Sequence, residues 1–439
     1  MQTVPSRSGA RLLLVLALLL GLTGCSVFSD EDDSAPEASA TTAPPDVLAG
    51  LTATLDLRSE AVRAGDARGF LAGLAPGDRS LRRQQRSYFA NLVQLPLGTF
   101  DYDVDPSAIV REGDDYQAVV ELRTELAGFD ERPVVSRDRF TFTPSSDGQY
   151  VVAAARDEAW EAEHDVRQQP WETGPIVVRQ VPGVLGIFDA RSVTAADALL
   201  ADVQQGITDV SGVVPLPWSR SVVVYALSDP SYLASIPDLP GGDPRTLDGV
   251  AFPVTVEPGR SALASTRFAL HPRLLTNAGV GRARLIRHEL THVAVGRHDD
   301  HAPVWLSEGL AEYVSVRSLP PEQRGISQSA VDAARAGFSD LPADGEFNDG
   351  DSRVHYGESW WACEYVATSF GEATLWSLLD QLDDPDLDAA GRSEVLRAWI
   401  GLTGPQLARR AGRMLLLTFD PTAVVPTVDL PETAVPAAP

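Results

Sequence analysis

Apolar side chains recur at helical spacing over residues 46–93, at strand spacing over residues 100–154, and again at helical spacing over residues 279–416. In the first stretch, Asp46 is placed to cap a helix carrying Val47, Leu48, Leu51 and Leu55 on one face. A short helix over 67–74 follows with Asp66 as its cap, and a third spans 79–93. The period then changes to two. Phe100, Tyr102 and Val104 alternate with acids, and Tyr116, Ala118, Val120 and Leu122 alternate next. Runs at 139–142 and 150–154 complete four strands, the last two separated by turn residues 145–148. Helices followed by an antiparallel sheet make residues 46–160 one α+β unit.

A second α+β unit is expected over 166–420. Its strands fall at 176–181, 184–188 and 222–226, with a helix over 195–210 between the last two. Runs 250–256 and 262–270 read as a hairpin turned by Glu257, Pro258 and Gly259. Helices follow at 279–296, 303–316, 328–337 and 358–382, and over 390–416 with breaks. No internal repeat is visible.

The flanks have a different character. Arg7 and Arg11 precede the apolar run 12–20, which is too short to span a membrane comfortably. Leu22-Thr23-Gly24-Cys25 follows and resembles a bacterial lipobox. That resemblance implies a signal peptide over 1–24, cleavage before Cys25, lipidation of its sulfur, and an extracytoplasmic protein anchored to the cell membrane. Residues 25–45 lack large apolar side chains and read as a disordered tether, and 421–439 as a disordered tail. The chain carries 61 acids against 36 bases, a formal charge of −25, and every base is arginine. Nucleic acid is not an expected partner, because phosphate binding needs basic patches. Lipidation of Cys25 leaves Cys363 without a disulfide partner, in an apolar helical run where a buried thiol is expected.

Chemistry concentrates in the second unit. His288-Glu289-Leu290-Thr291-His292 has the form H-E-x-x-H. On a helix, residues four apart share a face. Two imidazoles there can hold one zinc ion, with Glu289 beside them as a base for a water molecule. The next segment reads Trp305-Leu306-Ser307-Glu308-Gly309-Leu310-Ala311-Glu312-Tyr313. Glu308 and Glu312 lie one turn apart on a largely apolar helix. A carboxylate on such a face needs a partner, and a metal ion is one. The alternative sets both acids on the solvated edge of the helix.

The two motifs together resemble those of the gluzincin, or thermolysin-like, zinc metallopeptidases. The resemblance implies that Glu308 is the third Zn2+ ligand, that Glu312 supports the first histidine, and that Glu289 is the catalytic base. It also implies a Tyr or His from a later helix as oxyanion donor. Tyr356 is the first choice for that role and His355 the second. Substrate is expected to add as a strand to the sheet edge before the zinc helix, for which run 262–270 is the candidate. No G-x-M-E-N pattern is present, so an endopeptidase acting on a peptide or protein substrate is expected. The first unit resembles the cone-shaped nuclear-transport-factor-type domains by pattern alone, and no catalytic constellation stands out in it.

The remaining histidines read as structural. His298 and His301 belong to a polar loop, with a second metal as the alternative reading, and His271 ends a strand before Pro272. His164 sits in an acidic linker helix. The acid-rich run 340–351 reads as a surface loop, with a calcium site or a cover over the cleft as alternatives. A rival reading keeps the zincin fold but makes the protein an inactive binding or assembly module. Another makes the first unit a ligand-binding cone. Oligomeric state has no signature in the sequence.

Overall fold

The computed structural model describes residues 43–235 and 247–420. The expected signal peptide, Cys25, nearly all of the tether and the tail 421–439 lie outside the described residues. Three helices open the first unit: α1 (Pro45–Ala64), α2 (Ala67–Ala72) and α3 (Arg79–Leu92). The side chains of Asp66 and Asp78 accept first-turn amides of α2 and α3 and so set where those helices begin. Asp46 does not cap α1. The helix starts one residue earlier, at Pro45 after Pro44, and Asp46 lies in its first turn without a side-chain cap bond. Proline suits that start because its fixed φ is already helical and its missing N–H would have no partner there.

Four strands follow: β1 (Leu97–Glu112), β2 (Asp115–Leu126), β3 (Val134–Pro144) and β4 (Tyr150–Ala154). They pair antiparallel in chain order. Phe100, Tyr102, Val104, Ala118, Val120, Phe140, Phe142 and Val152 are buried with α1, α2 and α3 in one cluster. The alternation read from the sequence is thus the buried face of this sheet.

Short helices α4 (Glu158–Glu163) and α5 (Pro170–Thr173) lead into the second sheet. Its strands are β5 (Val177–Val181), β6 (Val184–Phe188), β7 (Val222–Ala226), β8 (Gly249–Thr255) and β9 (Leu263–Leu270). Helix α6 (Ala196–Ser211) joins β6 to β7, and α7 (Ser231–Ala234) follows β7. The order across the sheet is β5-β6-β7-β9-β8. The expected hairpin is present, because β8 and β9 pair antiparallel. Its orientation corrects the sequence reading. β9 pairs parallel with β7 and lies inside the sheet, so the run 262–270 is not the edge, and β8 stands at the end of the sheet. Pro253 fits there, since an edge strand tolerates a residue without an N–H.

Seven helices complete the unit: α8 (Val280–Val295), α9 (Val304–Arg317), α10 (Gln328–Ala336), α11 (Ser352–Phe370), α12 (Glu372–Leu382), α13 (Ala389–Ile400) and α14 (Gly404–Phe419). The single helix expected over 358–382 is two, broken at Gly371, whose φ of 94° suits glycine. The first of them begins at Ser352, because the Asp351 side chain caps it by accepting the Arg353 amide.

β6 and β7 are buried at every position, as their unbroken apolar sequences require. One face of this sheet, with Val184, Phe188, Val222, Val224 and Phe268, packs on the helices of the second unit. The other face, with Leu185, Ile187, Val223, Tyr225 and Phe252, joins the core of the first unit. A buried ion pair ties the two. Asp130, just after β2, lies 2.7 Å from Arg267 of β9, and both side chains are almost fully enclosed. Ser265 also donates to Asp130, and Arg267 reaches the Tyr225 hydroxyl.

Candidate metal centre

Helix α8 packs against α6 and α9, so charged residues on it meet partners on every side. Arg282 pairs with Asp202 of α6 at 2.6 Å. Arg287 donates to the Ser315 carbonyl of α9 at 2.6 Å. Arg284 pairs with Glu312 of α9. Gly296, with φ 61°, ends the helix. Helix α9 in turn lies close to α11. A Cβ on Gly309 would meet the Ser359 carbonyl at 2.5 Å and the Cys363 sulfur at 2.8 Å, so that position needs glycine. Cys363 is buried.

These contacts set His288 and His292 of α8 opposite Glu308 of α9. The two Nε2 atoms are 3.3 Å apart. The Glu308 Oε2 lies 3.2 Å from His288 Nε2 and 3.7 Å from His292 Nε2. One ligand atom from each residue falls within a 4.8 Å circle, so the group could hold a metal ion. The donor set supports that fit: the buried Glu308 Oε2 faces both ring nitrogens, and a cation among the three would replace the protons that hold them together.

Both histidines are steadied from behind. Glu312 Oε1 lies 3.2 Å from His288 Nδ1, and Arg284 holds the same carboxylate. Asp299 Oδ2 lies 3.9 Å from His292 Nδ1, an ion-pair separation, while Ser307 donates to that oxygen. Asp299 and Arg284 are the functional residues the sequence reading missed. Arg284 precedes His288 by one helical turn, which was a usable signal. Asp299 had none, because only the turn after Gly296 brings it back.

The electrostatics follow from crowding. Burial opposes charge on His288, but Glu308 and Glu312 outweigh it and hold the imidazole up at about 9. Burial acts the same way on His292, and Asp299 and Glu308 reverse it more strongly. Burial likewise opposes charge on Glu308, yet the two histidines hold its carboxyl well below the usual range. Without an ion the cluster keeps protons on its histidines, and a cation must displace them.

Glu289 is buried beside this group and lines the same cleft. Burial raises its carboxyl above the usual range, and the Ala251 amide of β8 donates to it. The cleft, about 660 Å³, is bounded by β8, the two histidines, Glu308 and Tyr356. A second space of about 380 Å³ adjoins it and shares His288, Glu289 and Tyr356. The two spaces meet at His288, Glu289 and Tyr356. The ring centroids of Tyr356 and His288 are 6.1 Å apart, and Phe347 packs edge-on against Tyr356. His355 lines neither space, and its Nδ1 bonds to the Phe347 carbonyl at 2.6 Å.

The other histidines stand apart from the cluster. His298 and His301 are exposed, His271 accepts the Arg273 amide at the start of a short turn, and His164 stacks on Trp160. The acid-rich loop lies partly over the cleft. Asp344 and Asn348 line it, and Asp344 accepts the first amide of α9. No protein-family model matches the chain, and no curated protein matches it.

Proposed function

We propose that this chain is a zinc-dependent endopeptidase of the gluzincin kind, anchored outside the cytoplasm through lipid on Cys25. The observation that carries the reading is the convergence of His288, His292 and Glu308, with Glu289 beside them where two adjoining spaces meet. Two imidazoles and one carboxylate make a donor set that suits zinc and leaves a position for other ligands. Calcium and magnesium prefer all-oxygen sites. A zinc ion held there supplies Lewis acidity toward a water molecule and a substrate carbonyl.

The residues of the chain do the rest. Glu289 takes the proton of the attacking water and passes it to the departing amine. Its raised affinity for a proton, caused by burial, suits both halves of that task. Tyr356 donates a hydrogen bond to the oxyanion; its phenol is held neutral by burial and by the carboxylates around it. Glu312 and Asp299 fix the rings of His288 and His292. The substrate backbone pairs with β8, the end strand of the sheet, and so crosses the groove in an extended form. The two spaces that meet at Glu289 accommodate chain on each side of the cleaved bond, as an endopeptidase requires. The first unit, read as a nuclear-transport-factor-type domain, covers the far face of the same sheet.

The lipid anchor rests on Leu22-Thr23-Gly24-Cys25. Among the described residues no helix is long and apolar enough to cross a membrane. The test of activity is a peptide-library cleavage profile of the purified protein, with and without chelator. Cleavage at internal bonds that chelation stops and zinc restores is the expected result. A protein that binds peptides along β8 but cleaves none would support the inactive-module reading instead.

A further inference from the structure

The first unit buries a cation that its own residues leave without an anion. Arg58 projects from the apolar face of α1, one turn after Leu55, and is 1% exposed. Its guanidinium donates to the Phe70 carbonyl at 3.2 Å and to the Gln85 side chain at 2.6 Å, and lies 3.8 Å from the Phe70 ring centroid. Its Nε is buried and makes no hydrogen bond. The Tyr102 hydroxyl lies against the rest of the guanidinium, and Tyr88 bonds to Tyr102 in turn. Among the described residues no carboxylate forms an ion pair with Arg58. Arginine stays charged even when burial works against it, and a buried charge without a counter-charge is strongly unfavourable.

Arg58 lines a cavity of about 70 Å³ between α1, α3, β2, β3 and residues 166–172. The other arginines on its wall differ. Arg137 is matched by Glu121 and Glu257, and Arg156 by Glu161. Arg167 faces the Phe252 ring. Glu172 also lines the space, but burial raises its carboxyl to about 7, so it is no settled counter-charge. Asp138 lines the space too, but burial and its contact with Glu161 raise its carboxyl to about 8, so Arg58 remains the fully enclosed cation of this wall without an ion pair. Between the polar groups lie Val120, Leu122 and Phe140. The space is too small for a nucleotide but opens to solvent, so only the carboxylate end of a ligand and the start of its apolar body need lie inside.

We propose that this cavity binds a small organic acid, with its carboxylate on Arg58 and the hydroxyls of Tyr88 and Tyr102 and its apolar body against Phe140, Val120 and Leu122. Charge assistance makes the carboxylate the determinant. The acid could be free or could be the C-terminus of a short peptide, since both present the same group. The site is independent of the metal cluster and stands whether or not the chain is a peptidase.

Calorimetric titration of the purified protein tests this with benzoate and hexanoate, with their neutral amides, and with acetyl-alanyl-phenylalanine in free and amidated forms. Each acid that binds should do so at least about tenfold more tightly than its amide, and chelation should leave binding unchanged. Preference for benzoate and hexanoate identifies free acids as the source, and preference for the free peptide identifies chain termini. Arg58→Gln should abolish binding. Should that variant fail to fold, Ser136→Phe fills the cavity while retaining the cation, and it should abolish binding with the circular dichroism spectrum unchanged. Absence of binding by every acid, equal affinity for acid and amide, or binding that survives Ser136→Phe overturns the proposal.

Discussion

The cleft on α8 and the cavity on α1 bury charge in different ways. Around His288 and His292, three carboxylates from Glu308, Glu312 and Asp299 meet two imidazoles and Arg284, and the imidazole charges rest on exchangeable protons. Around Arg58, one guanidinium meets carbonyl, amide and phenol groups but no carboxylate. The Asp130–Arg267 pair shows the balanced case. There acid and base are equally enclosed, every carboxylate oxygen has a donor, and nothing further is needed. Burial itself therefore does not mark a site. What marks one is buried charge balanced by exchangeable protons, as at Glu308, or by no direct counter-charge, as at Arg58.

Mutations can break this contrast in graded steps. The largest effect is expected from Glu289→Gln, which should lower kcat by about 10²–10⁴-fold in a steady-state peptide assay while metal content stays unchanged. Next comes the balanced pair. Asp130→Ala leaves Arg267 buried and uncompensated, so urea unfolding should show a loss of about 3–5 kcal/mol, without loss of metal affinity in the folded protein. Tyr356→Phe removes a donor but no charge. It should reduce kcat by about 10²–10³-fold with little change in KM. Glu312→Gln keeps the shape behind His288 but weakens its hold, and competition with a chromophoric chelator should show metal affinity reduced by about 10–100-fold.

The smallest effect is in pH. Carboxylates raise His288 to about 9 in the metal-free protein, against about 6.5 for a free imidazole. The stabilisation this gives is complete below about 6.5 and is lost as pH rises toward 9. Thermal melts of chelated protein should therefore fall across that window. Zinc-loaded protein should show no such decline, because its histidines carry no proton to lose.

Much of this arrangement was legible in the sequence, and the exceptions share a cause. Helical period placed His288 and His292 on one helix face and Glu308 and Glu312 on another, because spacing along one element is a local property; that the two faces meet was implied only by the gluzincin resemblance. The hairpin of β8 and β9 was equally visible from its turn residues. Which of its strands faces the groove was not, because sheet order depends on β9 pairing with β7, far away in the chain. The start of α11 was misplaced by one polar cap, Asp351. Arg58 sits at a position that amphipathic reading assigns to an apolar face, yet its charge hides that it is buried. Asp299 reaches His292 only through the turn after Gly296. Apart from the Asp351 cap, which is local, the missing information was tertiary: the order of strands, or the partners of charged groups that lie outside their own element.

Zinc binding at His288, His292 and Glu308 is read from the metal stoichiometry of the purified protein and of its Glu308→Ala variant, by elemental mass spectrometry after dialysis against zinc. One zinc per chain in the parent and almost none in the variant is the predicted result. A parent protein that retains no zinc, or a variant that retains a full equivalent, would contradict the account.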